Sequence, residues 1–474
     1  MLRLTDLFEA LCGIRPDWAD QIVIPEASID SRHVIPGCLF IALPGQTADG
    51  HDYVGQAFER GASLALVQRD LSDQFATVDL RGECAEGVQQ SHALPLCILV
   101  DDSLAALQKA AGFWRRKLNL RVIGITGSVG KSTTKEVTAE VLSQRFRTLK
   151  NPGNLNNEIG LPLTILSLSE SYERAVLEMG FYVPGEIQLL CDIALPQVGV
   201  ITNIGTVHAE RAGSLEKIAL GKSELVRSLP AGPDGVAILN FDDPRVREMA
   251  SVTRARIFYY GLDPKADLWA DEVEGLGLDG IRLKLHYQKE VLYLRVPLIG
   301  RHSVHTVLRS VAVGLVEGLT WQEIVNGLRS ERTQLRLMAV RSDTGALILD
   351  DTYNASPEST LAALNLLDEL EGRKVAVLGD MLELGPYEQQ GHEMVGLRAA
   401  QVVDELITIG ERGRLIASAA RKAGLAQNAV LELEGNQEVI LYLKDRLGTQ
   451  DVVLVKGSRG MQMEVIVEAL EVRR

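Results

Sequence analysis

Residues 122–134 read VIGITGSVGKSTT, and no other stretch restricts the fold as much. Val122, Ile123 and Ile125 have the composition of a buried strand. The chain then breaks at Gly124, Gly127 and Gly130, runs through Lys131, Ser132 and Thr133, and becomes helix-compatible over 135–142. Strand, glycine loop and helix in that order make a cradle for phosphate. Glycines let successive backbone N–H groups face one anion, the helix N-terminus adds its dipole, Lys131 reaches the outer phosphates, and Ser132 or Thr133 offers a hydroxyl to Mg²⁺. The strict G-x-x-x-x-G-K-[ST] pattern is not met, because Ile125 occupies its first glycine; the spacing is G-x-x-G-x-x-G-K-S-T.

Around this loop the 474 residues suggest about three domains. Over the first 118 residues the pattern predicts a helix at 5–11, a strand at 39–43, a helix at 53–60 closed by Gly61, a strand at 62–67 and a helix at 103–117. Asp30, Ser31 and Arg32 lie in a turn, where such residues are common without any ligand. The stretch 70–95 carries no readable chemistry.

Between 119 and 328, the run KNPGNLNNE (150–158) is too rich in Asn and Gly for a regular element. Its side chains suit a polar ligand or a solvated loop. A strand over 175–177 delivers Glu178 to its C-terminal end, the edge where open α/β sheets bind ligands. A second buried strand over 198–204 leads to Gly205 and His208, which reads equally as a ligand or a structural histidine. Lys222 falls on a helix whose other face carries Leu215, Ile218, Ala219 and Leu225, so by pattern it is a surface lysine. Strands over 236–239 and 256–260, an antiparallel ribbon over 268–298 and a helix over 302–316 complete the segment.

From 329 to 474 strands alternate with helices: strands at 346–350, 374–378, 406–409 and 452–455, helices at 357–370, 389–400 and 461–470. This order implies a parallel, doubly wound α/β sheet. Polar clusters follow the strand ends at 351–354, 379–383 and 456–459.

A net charge of −14 without any basic block argues against a nucleic-acid or membrane-surface binder. Five scattered cysteines, none in C-x-x-C spacing, read as buried small hydrophobes in a reducing compartment. Charges interrupt the opening MLRLTDLFEALCG, and no apolar run approaches the ~18 residues of a span. A cytoplasmic protein without signal peptide or membrane span is expected.

GITGSVGKSTT, NLNNEIGLPLTIL, the EMG of 178–180 and TNIGTVHAERAGSLEKIALGKSEL resemble the Mur ligases, the ATP-dependent amide-forming enzymes of peptidoglycan precursor synthesis. DSRHVIPGCLFIALPGQTADGHDY is similar to their UDP-sugar-binding domain. Within the family, DDTYNASPES, LGDMLELG and KGSRGMQME are similar to the member that adds D-alanyl-D-alanine to UDP-N-acetylmuramoyl tripeptide. The DNPR motif of the relative that adds a diamino acid is missing. The resemblance implies three α/β domains: a small UDP-sugar-binding domain (1–118), a phosphate-loop ATPase-like domain (119–328) and a Rossmann-like ligase domain (329–474). It implies that ATP phosphorylates the tripeptide carboxylate and that D-alanyl-D-alanine attacks the acyl phosphate, in a monomer.

By the same likeness Gly127, Ser128, Gly130, Lys131, Ser132, Thr133 and Asp351 hold the nucleotide, and Ser132, Glu178, His208 and Lys222 hold magnesium. Lys222 would be carbamylated by CO₂. Lys131, Lys222, His208 and Arg336 are the implied catalytic residues. Ser31, Arg32, Asn156, Asn157, Asn354, Lys456 and Arg459 are the implied substrate contacts, Ser31 and Arg32 at the uridine end. One departure stands out: GRHSVHT puts Ser303 and Thr306 where the family carries two asparagines, and Leu335 replaces a glycine before Arg336. Two alternatives remain, a Mur-type ligase for another amino acid and a phosphate-loop regulator that makes no amide.

Overall fold

A computed structural model describes residues 1–45, 48–81, 85–330 and 338–472. The chain forms two compact units. One comprises Met1–Gly124, Phe146–Gly180 and Gly185–Val198; the other comprises Ile125–Arg145, Phe181–Pro184 and Gly199–Arg474.

In the first unit, Ala27–Ser28, Leu39–Ile41, Leu64–Val67, Leu96–Leu99 and Thr77–Asp79 form a parallel five-stranded sheet in that order. Phe40, Ala65, Val67 and Leu99 pack with Val54 and Ala57 from the helix Val54–Glu59. That helix starts later than the pattern suggests. Gly50–Tyr53 form a 3-10 turn, capped where the Asp49 carboxylate accepts from His51 N. The edge strand Thr77–Asp79 lies in the stretch that carries no readable chemistry. The helix Ser103–Lys117 has its expected bounds, with Asp102 accepting from Ala105 N at its start. Thr148–Lys150 pairs in parallel with Arg174–Glu178.

In the second unit, the loop helix spans Lys131–Leu142, four residues longer at its start than the pattern suggests, because Gly130 in the left-handed conformation (φ 83°) serves as its N-cap. The helix Val304–Val316 packs on it, Thr138 and Ser310 sharing a hydrogen bond of 3.1 Å. Val236–Asn240, Arg256–Gly261 and Leu268–Gly275 run parallel, and Ile281–Tyr287 and Glu290–Val296 continue as the expected antiparallel ribbon.

The same unit holds a six-stranded sheet ordered Met338–Arg341, Leu347–Asp350, Asp451–Lys456, Arg373–Leu378, Glu405–Ile409, Val430–Leu433, parallel except at its first pair. Hydrophobic layers cover both faces, one including Leu364, Leu367, Val395 and Ile416, the other Val439, Leu443, Ile466 and Val467. This is the expected doubly wound arrangement. Four of its elements escape the sequence pattern: Met338–Arg341, Gly413–Lys422, Val430–Leu433 and Asn436–Lys444. Gly413–Lys422 buries Ile416 together with the small residues Ala417, Ala419 and Ala420. The last helix begins at Glu464 rather than 461, after a 3-10 turn at Arg459–Met461 and Gln462 at φ 49°.

Cys38, Cys97 and Cys191 are buried as expected, whereas Cys12 is half-buried, and none of the four is in a disulfide among the described residues; Cys84 lies outside them. Among the described residues no helix is long and apolar enough to cross a membrane.

Candidate active site

The glycine loop is braced before any ligand is considered. Ser128 N donates to Asn203 O (2.9 Å) and Val129 N to Asn203 Oδ1 (3.0 Å), while Asn203 Nδ2 returns a bond to Val129 O (3.2 Å). Gly205 N donates to Ser128 Oγ at 2.8 Å. Gly127 has no room for a side chain: a Cβ there would lie 1.8 Å from Thr202 Oγ1. Lys131 Nζ donates to Gly127 O (2.9 Å) and Ser128 O (3.2 Å), so its ammonium lies over the loop's own carbonyls. Asn203 and Thr202 follow directly on the strand Val198–Ile201, which is three residues shorter than expected because 202–208 is needed as this bracing loop.

Lys222 corrects the surface reading. It is fully buried on the helix Leu215–Arg227, its Nζ donates to Gly127 O at 2.9 Å, and it sits 4.7 Å from the Phe181 ring centroid. Gly221 makes this possible, since a Cβ there would meet Phe181 at 2.0 Å. Burial, then the Lys131 ammonium, holds the Lys222 amine well below the usual lysine range. Burial thus favours the uncharged, nucleophilic form of the amine under the loop.

His208 stands in the left-handed region (φ 66°), with Nδ1 2.6 Å from Glu383 Oε2 and its ring 4.7 Å from that of Tyr182. Burial first, then Lys131, pushes its pKa down to about 4 despite the carboxylate. A neutral ring that donates from Nδ1 to Glu383 turns the Nε2 lone pair outward, the second-sphere arrangement common to histidine ligands. Among the described residues no three His, Cys, Asp or Glu side chains gather as a ready-made metal set. In the first unit Glu178 ends its strand as expected and is buried. Asn156 Nδ2 donates to Glu178 Oε1 (2.9 Å), and Asn151 pairs with both the N–H and the carbonyl of Glu178.

A cavity of about 450 Å³ opens beside the loop. Residues 128–133 form one side, Ser303, Thr306 and Arg309 another, and Asp351, Tyr353, Asn354, Glu358 and Lys456 the third. Lys456 is buried, its Nζ donating to Asp351 Oδ2 (2.6 Å) and Asn354 O (2.8 Å), so it shapes the loop that carries Asp351. Glu358 accepts from Thr206 N at 3.1 Å. Arg459 is exposed, its guanidinium 5.5 Å from the Tyr353 ring centroid.

Other expected contacts lie elsewhere in the fold. Ser31 is buried, its hydroxyl donating to Gln56 Oε1 (2.6 Å). Arg32 is exposed and grips Asp30, whose carboxyl it holds far below the usual carboxylate range. Asn157 Oδ1 accepts from Gly160 N at 2.9 Å, just ahead of the helix Gly160–Leu166. Arg336 and Leu335 lie outside the described residues. Asn203, Glu358, Glu383 and Arg309 were not singled out in the sequence. Asn203 and Glu383 sit inside motifs that follow strand ends, which is the signal that could have marked them.

Three family models match the chain: "Mur ligase family, catalytic domain" over 24–91, "Mur ligase middle domain" over 125–314, and "Mur ligase, glutamate ligase domain" over 335–459. The chain is 36% identical to the UDP-N-acetylmuramoyl-tripeptide–D-alanyl-D-alanine ligase of Bacillus subtilis, covering 95% of this chain and 94% of the relative. It is 33% identical to the enzyme of the same name from Escherichia coli, over 95% and 94%. A crystal structure of MurF from Acinetobacter baumannii superposes with TM-score 0.82 at 31% identity, over 99% and 98% of the two chains. MurF ligase from Thermotoga maritima, in complex with ADP, superposes with TM-score 0.78 at 27% identity, over 95% and 97%. A braced phosphate loop, a buried lysine beneath it and full-length likeness of this extent together place the chain in the Mur ligase family.

Proposed function

We propose that this protein joins D-alanyl-D-alanine to UDP-N-acetylmuramoyl tripeptide at the cost of ATP, through an acyl phosphate, completing the peptide of the peptidoglycan precursor. Near full-length identity to ligases of that name supports the reaction. The observation that carries the site is Lys222, buried, depressed in pKa and bonded to the phosphate loop at Gly127 O. A regulator that only binds nucleotide has no use for such an amine.

Family likeness supplies the roles, and position supports those at the loop. Gly127, Ser128, Gly130 and Lys131 cradle the phosphates, Ser132 and Thr133 present hydroxyls, and Asp351, seated by Lys456, closes the nucleotide cavity. Lys222 attacks CO₂ through its lone pair; a C–N bond forms as one C=O π pair moves onto oxygen, the nitrogen passes a proton to water, and an anionic carbamate replaces what would be a cation. That carbamate, the Ser132 hydroxyl and His208 Nε2 are the groups that would hold Mg²⁺, a cation that prefers oxygen; Glu178 is assigned to magnesium by family likeness alone. When bound, magnesium neutralises charge on the transferring phosphoryl group. Ser31 and Arg32 serve the uridine end. Asn156, Asn157, Asn354 and Arg459 serve the peptide, Asn156 also by orienting Glu178. Arg336 is assigned to the nucleotide by family likeness alone. We also read the chain as a cytoplasmic monomer of three domains, 1–118, 119–328 and 329–474.

The deciding experiment measures ADP release from ATP with each substrate omitted in turn. Release that requires both D-alanyl-D-alanine and UDP-muramoyl tripeptide supports the assignment; release with another amino acid in place of the dipeptide, or with neither substrate, rejects it.

A further inference from the structure

We infer that Arg309 contacts a phosphate group of the bound nucleotide and that Thr306 holds it in position. This rests on reading the 450 Å³ cavity as the nucleotide site. The helix Val304–Val316 brings Arg309 to the cavity wall, with 3% of its surface exposed. Nη2 donates to Thr306 Oγ1 at 2.9 Å and lies 3.0 Å from where a Cβ on Gly130 would stand. Nε is buried without a hydrogen-bond partner.

A buried guanidinium is costly unless its charge and its five N–H donors are matched. The neighbouring groups do not match it. The Tyr260 ring centroid is 5.9 Å away, and its phenol, pushed up to about 12 by burial, stays neutral and bonds the Ile201 and Thr202 carbonyls. Asp242 is engaged by His305 Nε2 (2.9 Å) and by the Leu262 amide. Among the described residues no carboxylate pairs with Arg309. An anion resting on the loop beside Gly130 supplies the missing counter-charge, and a phosphate accepts the planar fork of arginine in two bonds. Thr306, where the Mur pattern has asparagine, commits its oxygen to the arginine.

The test is calorimetric binding of ADP and of adenosine to the full chain, wild type and variants. Arg309→Met is expected to weaken ADP roughly 10- to 100-fold and to leave adenosine within about 3-fold. Thr306→Val, which frees the guanidinium without removing it, is expected to weaken ADP by a smaller factor. Equal weakening of ADP and adenosine, or unchanged ADP affinity, overturns the inference. If Arg309→Met does not fold, Arg309→Gln takes its place with the same two outcomes. Lys131→Met separates the two readings: if it keeps full ADP affinity, the nucleotide site itself is misplaced. If it loses ADP while Arg309→Met does not, only the role of Arg309 falls.

Discussion

His208 Nδ1 and Glu383 Oε2 stand 2.6 Å apart across 175 residues of sequence, and both residues hold left-handed backbone, φ 66° and 63°. Left-handed backbone is unfavourable for residues with a side chain and persists where the surroundings impose it. Here the imposed geometry aims a neutral imidazole. Glu383→Ala is expected to lower kcat about 10- to 100-fold and to raise the Mg²⁺ concentration for half-maximal rate, with Glu383→Gln milder. A magnesium titration of the steady-state rate checks this; an unchanged titration removes Glu383 from the site.

Burial of His208 sets a pH dependence that Glu383 only partly offsets. His208 has a folded pKa of about 4 against an ordinary 6.5. The unfolded chain therefore binds the extra proton first as pH falls. This contribution to stability is full above pH 6.5, declines as pH falls from 6.5 to about 4, and is lost below. Urea midpoints measured across that window should fall more for wild type than for His208→Asn, which tolerates the same backbone.

Lys222→Met separates stability from function. In CO₂-free buffer burial disfavours the charged form of this amine on folding, so the isosteric apolar variant should melt at a higher temperature. Its turnover should fall at least about 10²-fold. Lys222→Ala should be inactive too, and short carboxylic acids should restore part of the rate by replacing the carbamate. Wild-type kcat in either variant would make Lys222 structural only.

Lys131→Ala should lower kcat by at least ~10², because its charge acts most strongly as the phosphoryl group transfers. Normal turnover of the folded variant would take the loop out of the mechanism.

Gly127→Ala puts a methyl 1.8 Å from Thr202 Oγ1 at a φ of 146°. A loss of about 1–3 kcal/mol in chemical denaturation is expected, together with weaker ADP binding, since the loop must shift away from Asn203.

The strand–glycine–helix unit, Glu178 at a strand end, and the repeating strands and helices of the last 140 or so residues were legible because each is a local pattern: a period, a cap or a loop composition. Family likeness added the identity of the reaction. Tertiary structure alone decided what Lys222 is. Helical spacing describes only the faces of its own helix, and the groups that bury this lysine, Gly127 O and the Phe181 ring, come from elsewhere in the chain. The same holds for Asn203 on the loop amides, Glu383 on His208 and Arg309 beside Gly130. A pKa or an unpaired donor is set by whichever groups packing brings within a few ångströms, and those groups lie tens to hundreds of residues apart in the chain.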